Sequence, residues 1–77
     1  MMRERILEII AEQLNRPVDE LDSFMDFVED LNMDSIELVE MIMSVEDEFD
    51  IQIEEEKLEN VHTIGDVLEL VEAYEFE

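Results

Sequence analysis

The sequence predicts an all-α protein: a small four-helix bundle with a long loop between helices 1 and 2 and a short third helix. Three observations lead there. Apolar residues recur at spacings of three and four in separate stretches, the pattern of one buried stripe per helix. No stretch alternates apolar and polar residues over a useful length, so nothing argues for strands. Residues that start and stop helices bracket the periodic stretches. At 77 residues, the chain has room for one domain, expected to span residues 1–77.

Residues 3–15 carry Leu7, Ile10 and Leu14 on one stripe with Ile6 alongside. Asn15, Arg16 and Pro17 should end this first helix, because proline has no N–H to give and restricts the residue before it. From Arg16 to Met33 the chain is too long for an ordinary helix–helix connection. It contains Val18, Leu21, Phe24, Phe27, Val28 and Leu31, so it is expected to pack down and be partly helical.

Residues 34–50, DSIELVEMIMSVEDEFD, form the second helix. At about 100° per residue, Leu38, Ile42, Val45 and Phe49 fall within about 60° of one another and make its core face. Residues 55–60 allow one or two turns, of which only Leu58 would matter to the core. The last helix opens at Thr63 with Asp66 three residues on, a capping box with Asp in place of Glu. Ile64, Val67, Leu68 and Val71 then form its buried face, with Tyr74 a turn further. Gly65 is the only glycine, so glycine turns are not how this fold is built.

The charge is lopsided: 25 Asp or Glu stand against 4 Lys or Arg, with one His, no Cys and a formal net charge of −21. An acidic disordered tail would combine such charge with low hydrophobicity, but 47% of the residues are apolar and regularly spaced. Without Cys there is neither a disulfide framework nor a thiolate metal site. Nucleic-acid phosphates and anionic lipid need clustered Lys and Arg, so neither nucleic-acid binding nor membrane insertion is expected; a basic protein partner is. The opening MMRERILEII is interrupted by charge and reads as neither signal peptide nor membrane span. A soluble, cytoplasmic monomer is the expectation.

The face of the second helix opposite its core carries Ile36, Glu40, Met43 and Asp47. Two large apolar residues among acids, flanked also by Glu37 and Glu46, read as a docking stripe, since apolar anchors inside a charged rim are the anatomy of a protein contact. Asp34 as N-cap with Glu37 three residues on is a capping box. Ser35 is left at the first helical position, where unpaired amides and the positive end of the helix dipole favour a phosphate. No catalytic residue is expected. Nothing nearby would serve Ser35 as a general base, because His62 is the only His and a lone one, so a serine modified by another enzyme fits better than a nucleophile.

On these residues the chain resembles the acyl carrier proteins, of the free-standing bacterial fatty-acid-synthesis type. The resemblance runs through RERILEIIAEQL, through SFMDFVEDLNMDSIELVEMIMSVEDEFDIQI with its DSIE signature, and through VHTIGDVLELVE. It implies that Ser35 receives 4′-phosphopantetheine from coenzyme A through a phosphopantetheinyl transferase. The arm's thiol then carries acyl intermediates as thioesters. It also implies that Asp34 helps the transferase and its Mg²⁺ engage the site. Ile36, Glu37, Glu40, Met43, Glu46 and Asp47 would be read by basic patches on fatty-acid-synthesis enzymes. Phe27, Phe49, Ile53, Val61 and Val67 would line the cavity that shelters the acyl chain. Two positions depart from the family. Asn32 stands where Gly is usual two residues before the Asp-Ser pair, followed by a bulky Met33 beside the attachment site, and Glu54 stands where Pro is often found.

Three other readings compete. A calcium-binding loop is suggested by sixteen acids and no base from Pro17 to Glu56, but no acidic run has the Gly that an EF-hand loop needs at its sixth position. No metal site is therefore expected. An unmodified acidic adaptor would use the same helix face without Ser35. A carrier for a specialised polyketide or aminoacyl pathway would share the attachment chemistry.

Overall fold

The first helix forms where the apolar stripe predicts, with a modest rotation. In the computed structural model, which describes residues 2–75, α1 spans Met2–Leu14 and buries Ile6, Ile9, Ile10 and Ala11. Leu7 and Leu14 are only half-buried at the margin of the core. The buried face thus turns from the Leu7–Leu14 line towards Ile6 and Ile9, because α1 packs against several parts of the chain at once. The helix closes on Asn15, which takes a left-handed φ of 56° while the Arg16 amide reaches back to the Ala11 carbonyl at 3.0 Å. This is a Schellman closure made by Asn instead of Gly.

The remaining helices are α2, Ser35–Phe49; α3, Glu55–Leu58; and α4, Ile64–Glu75. Between α1 and α2 a single 3₁₀ turn covers Val18–Glu20. The radius of gyration is 11.3 Å, close to the roughly 11.5 Å of a fully collapsed chain of this length. The long connection is therefore packed against the bundle.

Only part of that connection faces inward. Leu21, Phe27, Leu31 and Met33 are buried, whereas Val18, Phe24 and Val28 are 43%, 75% and 58% exposed. Local geometry explains the split. The Asp26 carboxylate accepts the amides of Val28 and Glu29, both at 2.9 Å, and its carbonyl accepts those of Asp30 and Leu31. One helical turn follows, in which Phe27 and Leu31 share the inner face and Val28 looks out. Just before it, the chain lies against the start of α4. Gly65 N–H donates to Ser23 O at 2.7 Å, Ile64 N–H to Met25 O at 3.1 Å and Phe27 N–H to His62 O at 2.9 Å. Phe24 lies between two of these anchors with its ring in water. Among the described residues, this contact supplies one isolated antiparallel bridge, Asp26 with Thr63, and no longer strand.

The core gathers α1, the connection, α2 and α4 around Phe27, Ile6, Ile10, Met41, Ile64 and Val71, all at most 1% exposed. α4 buries Ile64, Val67, Leu68 and Val71, the face its sequence predicts. Its capping box is formed: Asp66 N–H donates to Thr63 Oγ1 at 3.2 Å, and Thr63 N–H donates to Asp66 Oδ2 at 3.0 Å. A further amide, that of His62, reaches the same oxygen at 2.9 Å. Amide donation from His62, then from Thr63, holds the Asp66 carboxyl below the usual carboxylate range.

Three of the four basic side chains join pairs of helices. Arg3 meets Glu72 at 3.0 Å between α1 and α4, Arg5 meets Glu48 at 3.0 Å between α1 and α2, and Lys57 Nζ lies 4.6 Å above the Tyr74 ring between α3 and α4. Exposed ion pairs contribute little individually. In a chain of net charge −21, they place the scarce positive charge where acidic helices meet.

Candidate functional site

Asp34 starts α2 from an extended conformation, and its capping box is complete. Its Oδ1 accepts Glu37 N–H at 2.8 Å, and Glu37 Oε1 accepts Asp34 N–H at 3.3 Å. Two of the amides at this helix start are thereby satisfied; those of Ser35 and Ile36 stay outside the box. Ser35 is exposed, and among the described residues its hydroxyl has no hydrogen-bond partner. Asn32 enters the site at a left-handed φ of 56°, a conformation Asn tolerates better than most residues. Met33, expected beside the attachment site, is instead 3% exposed inside the core. Its amide bonds to Phe27 O at 2.9 Å, so its bulk faces inward, away from any approaching protein.

Along α2, Ile36 is 71% and Met43 56% exposed, with Glu40 and Asp47 exposed and Glu37 half-exposed beside them. The stripe has a third apolar member that the sequence pattern missed, Val39 at 57% exposure. Met41, also outside the predicted core face, is fully buried. On the wheel the two residues flank the core face on opposite sides. α1 covers the Met41 side, where Arg5 meets Glu48. The Val39 side faces α3, a single turn too short to cover it.

That incomplete cover leaves a half-open cleft of about 320 Å³ between α2 and α3, at the small end of the roughly 300–1,000 Å³ typical of ligand pockets. α2 supplies Leu38, Val39, Ile42, Met43 and Glu46; the far wall is Ile53, Leu58 and Val61, with Gln52 and Glu55 at the rim. Of the five residues expected around an acyl chain, Ile53 and Val61 line this cleft. Phe27 and Val67 are closed into the core, at 1% and 0% exposure, and Phe49 is half-buried at the end of α2. The wall positions contributed by Leu38, Ile42 and Leu58 were legible only as ordinary core residues.

Glu46 also takes a place its sequence did not reveal. It is half-buried, and its Oε2 accepts the Ile53 amide at 2.7 Å, so one carboxylate oxygen is committed to the protein itself. On a helix of about 100° per residue, Leu38, Val39, Ile42 and Glu46 all fall within about 60° of Ser35. The exposed hydroxyl and the α2 wall of the cleft therefore share one helix face, with the hydroxyl one turn before the wall begins. Among the described residues, no cluster of carboxylates or His could hold a metal ion, and no helix is long and apolar enough to cross a membrane.

Residues 4–71 match the family model of the phosphopantetheine attachment site. The chain is 39% identical over 74 residues to an acyl carrier protein of Clostridium acetobutylicum, covering 96% of each. It is 43% identical over 76 residues to an acyl carrier protein of an Exiguobacterium species, covering 94% of this chain and 96% of the other. A solved Mycobacterium tuberculosis structure described as an acyl carrier protein superposes with a TM-score of 0.86 at 34% identity, over 96% of this chain and 99% of that one. The Enterococcus faecalis acyl carrier protein gives a TM-score of 0.69 at 30% identity, over 90% and 92%.

Proposed function

The chain belongs to the phosphopantetheine-attachment family, that of the acyl carrier proteins, and on that premise we propose that residues 1–77 form one non-catalytic carrier domain that holds its 4′-phosphopantetheine on Ser35 and serves fatty-acid synthesis. The observation that carries this reading is the shared face of α2: an exposed serine hydroxyl at the helix start, and an apolar cleft beginning one turn beyond it.

The residues present fit the group. The free amides of Ser35 and Ile36 and the positive end of the α2 dipole suit a phosphodiester. The Asp34 carboxylate, fixed by the Glu37 amide through one oxygen, has its other oxygen left for the Mg²⁺ a transferase brings. When attached, the arm supplies a thiol on which an acyl group is held as an activated thioester. Leu38, Ile42, Ile53, Leu58 and Val61 give an aliphatic chain a dry wall, and burial of each methylene there contributes about 0.8 kcal/mol.

Ile36, Val39 and Met43, rimmed by Glu37, Glu40 and Asp47, present this end of the molecule to basic patches on partner enzymes. Electrostatic docking raises association rates and is screened by salt, which suits a carrier that must also let go. The test is intact mass before and after incubation with coenzyme A, Mg²⁺ and a broad-specificity phosphopantetheinyl transferase, for wild type and Ser35→Ala. One phosphopantetheine gained by wild type alone is expected. Equal gain by both proteins, or none by folded wild type beside an active control, rejects Ser35 as the site.

A further inference from the structure

α3 supplies a wall of the cleft but has little to hold it in place. It is four residues long, its N-cap Glu54 makes no side-chain cap, and none of its residues is buried. A helix of this length does not persist on its own. Its fixings come from two consecutive backbone amides that reach different helices. The Ile53 amide donates to Glu46 Oε2 on α2 at 2.7 Å, and the Glu54 amide donates to Tyr74 Oη on α4 at 3.1 Å. The Tyr74 ring also lies beneath Lys57 Nζ at 4.6 Å, so this one side chain grips the start and the body of α3.

Residue 54 has φ −68° and ψ 139°, the backbone of a proline. A proline there would keep the path of the chain but remove the donor that Tyr74 uses. Glu54 therefore leaves available a bond that the more usual residue would forbid.

We propose that Tyr74 and Glu46 clamp the α3 wall and so govern how firmly the cleft closes over an acyl chain, an inference that rests on the carrier reading above. Both are positioning residues. Glu46 fixes Ile53, itself part of the wall, and Tyr74 fixes the residue that enters α3. With the Tyr74–Glu54 bond gone, α3 keeps the Glu46–Ile53 bond at its entrance, the cation–π contact and the half-buried Leu58 to hold it, and the cleft opens more often.

Two single variants delete the same bond from opposite ends. Tyr74→Phe keeps the ring under Lys57 and loses the acceptor; Glu54→Pro keeps the backbone angle and loses the donor. Glu54→Gln removes the charge alone and serves as control. In full-length protein without the arm, amide exchange followed by NMR should show the Glu54 amide about three- to tenfold faster in Tyr74→Phe, the range expected for one lost hydrogen bond, with the Val45 amide unchanged. In protein loaded with an octanoyl group, hydroxylamine cleavage of the thioester, taken relative to the acetyl form, should rise by a similar factor in Tyr74→Phe and Glu54→Pro. The double variant should be no faster than either, because both remove one interaction, and Glu54→Gln should match wild type.

An unchanged octanoyl-to-acetyl ratio in both single variants, or effects that multiply in the double, overturns the proposal. If Tyr74→Phe does not fold, Glu54→Pro carries the comparison. A wild type that takes no arm fails at the loading step, which rejects the carrier reading and the acyl role together; the exchange rates then still decide whether Tyr74 holds α3.

Discussion

Gly65 and Ser23 stand as close as two backbones can. The Gly65 amide donates to the Ser23 carbonyl oxygen at 2.7 Å, and a Cβ on Gly65 would lie 3.0 Å from that same oxygen and 3.4 Å from Ser23 Cβ. The protein's single glycine therefore serves the docking of the long connection onto the start of α4. It is not there to make a turn. The left-handed positions go to Asn15, Asn32 and Asp50.

Gly65→Ala tests this. In a free helix the change would stabilise by about 1 kcal/mol. Here the added methyl pushes the Ser23 carbonyl outward and lengthens a short hydrogen bond, so a net loss of about 1 kcal/mol is expected. Urea denaturation of both proteins measures it. A more stable variant would mean that the connection yields without cost.

The Asp66 cap predicts a pH dependence. Its carboxyl is held below its ordinary value by the amides of His62 and Thr63, so its contribution is fully present above the unfolded carboxylate value of about 3.9. It is lost as pH falls further through the lower folded value. Relief of the −21 self-repulsion acts on the whole chain and should raise stability in mild acid. The difference between wild type and Asp66→Asn largely removes that shared background. Denaturation at pH 3 to 7 should show a constant gap above about pH 5 that narrows below pH 4. A gap that widens in acid would contradict the assignment.

Asp34 combines a cap and a proposed recognition role, and two substitutions separate them. Asp34→Ala loses the bond to Glu37 N–H and should cost about 1 kcal/mol. Asp34→Asn caps as well as Asp, so its stability should stay within about 0.5 kcal/mol of wild type. If the carboxylate also serves Mg²⁺ and the transferase, Asp34→Asn should take up the arm several-fold more slowly despite its intact fold. Loading at the wild-type rate, followed by intact mass, would reduce Asp34 to a cap.

Much of the candidate site was legible because it is local. The Asp34–Glu37 box and the Thr63–Asp66 box each depend on residues only a few positions apart. The exposure of Ile36 and Met43 follows from helix angle alone. Val39 and Met41 were not legible in this way. They flank the core face on either side, and nothing in the pattern says which side a long helix will cover. Glu46 and Tyr74 were harder still, since their partners are amides 7 and 20 residues away, and an amide leaves no mark in a sequence.

By itself, then, the sequence determined the helical class, the position and capping of α2 and α4, the acidic face and the serine at its head, because each rests on periodicity or on short-range hydrogen bonds. The tertiary structure decided which half of the long connection faces water, why the one glycine sits at residue 65, and where the cleft opens. Those outcomes depend on how closely elements distant in the chain approach. α1 is long enough to seal its side of α2, and α3, at one turn, is not.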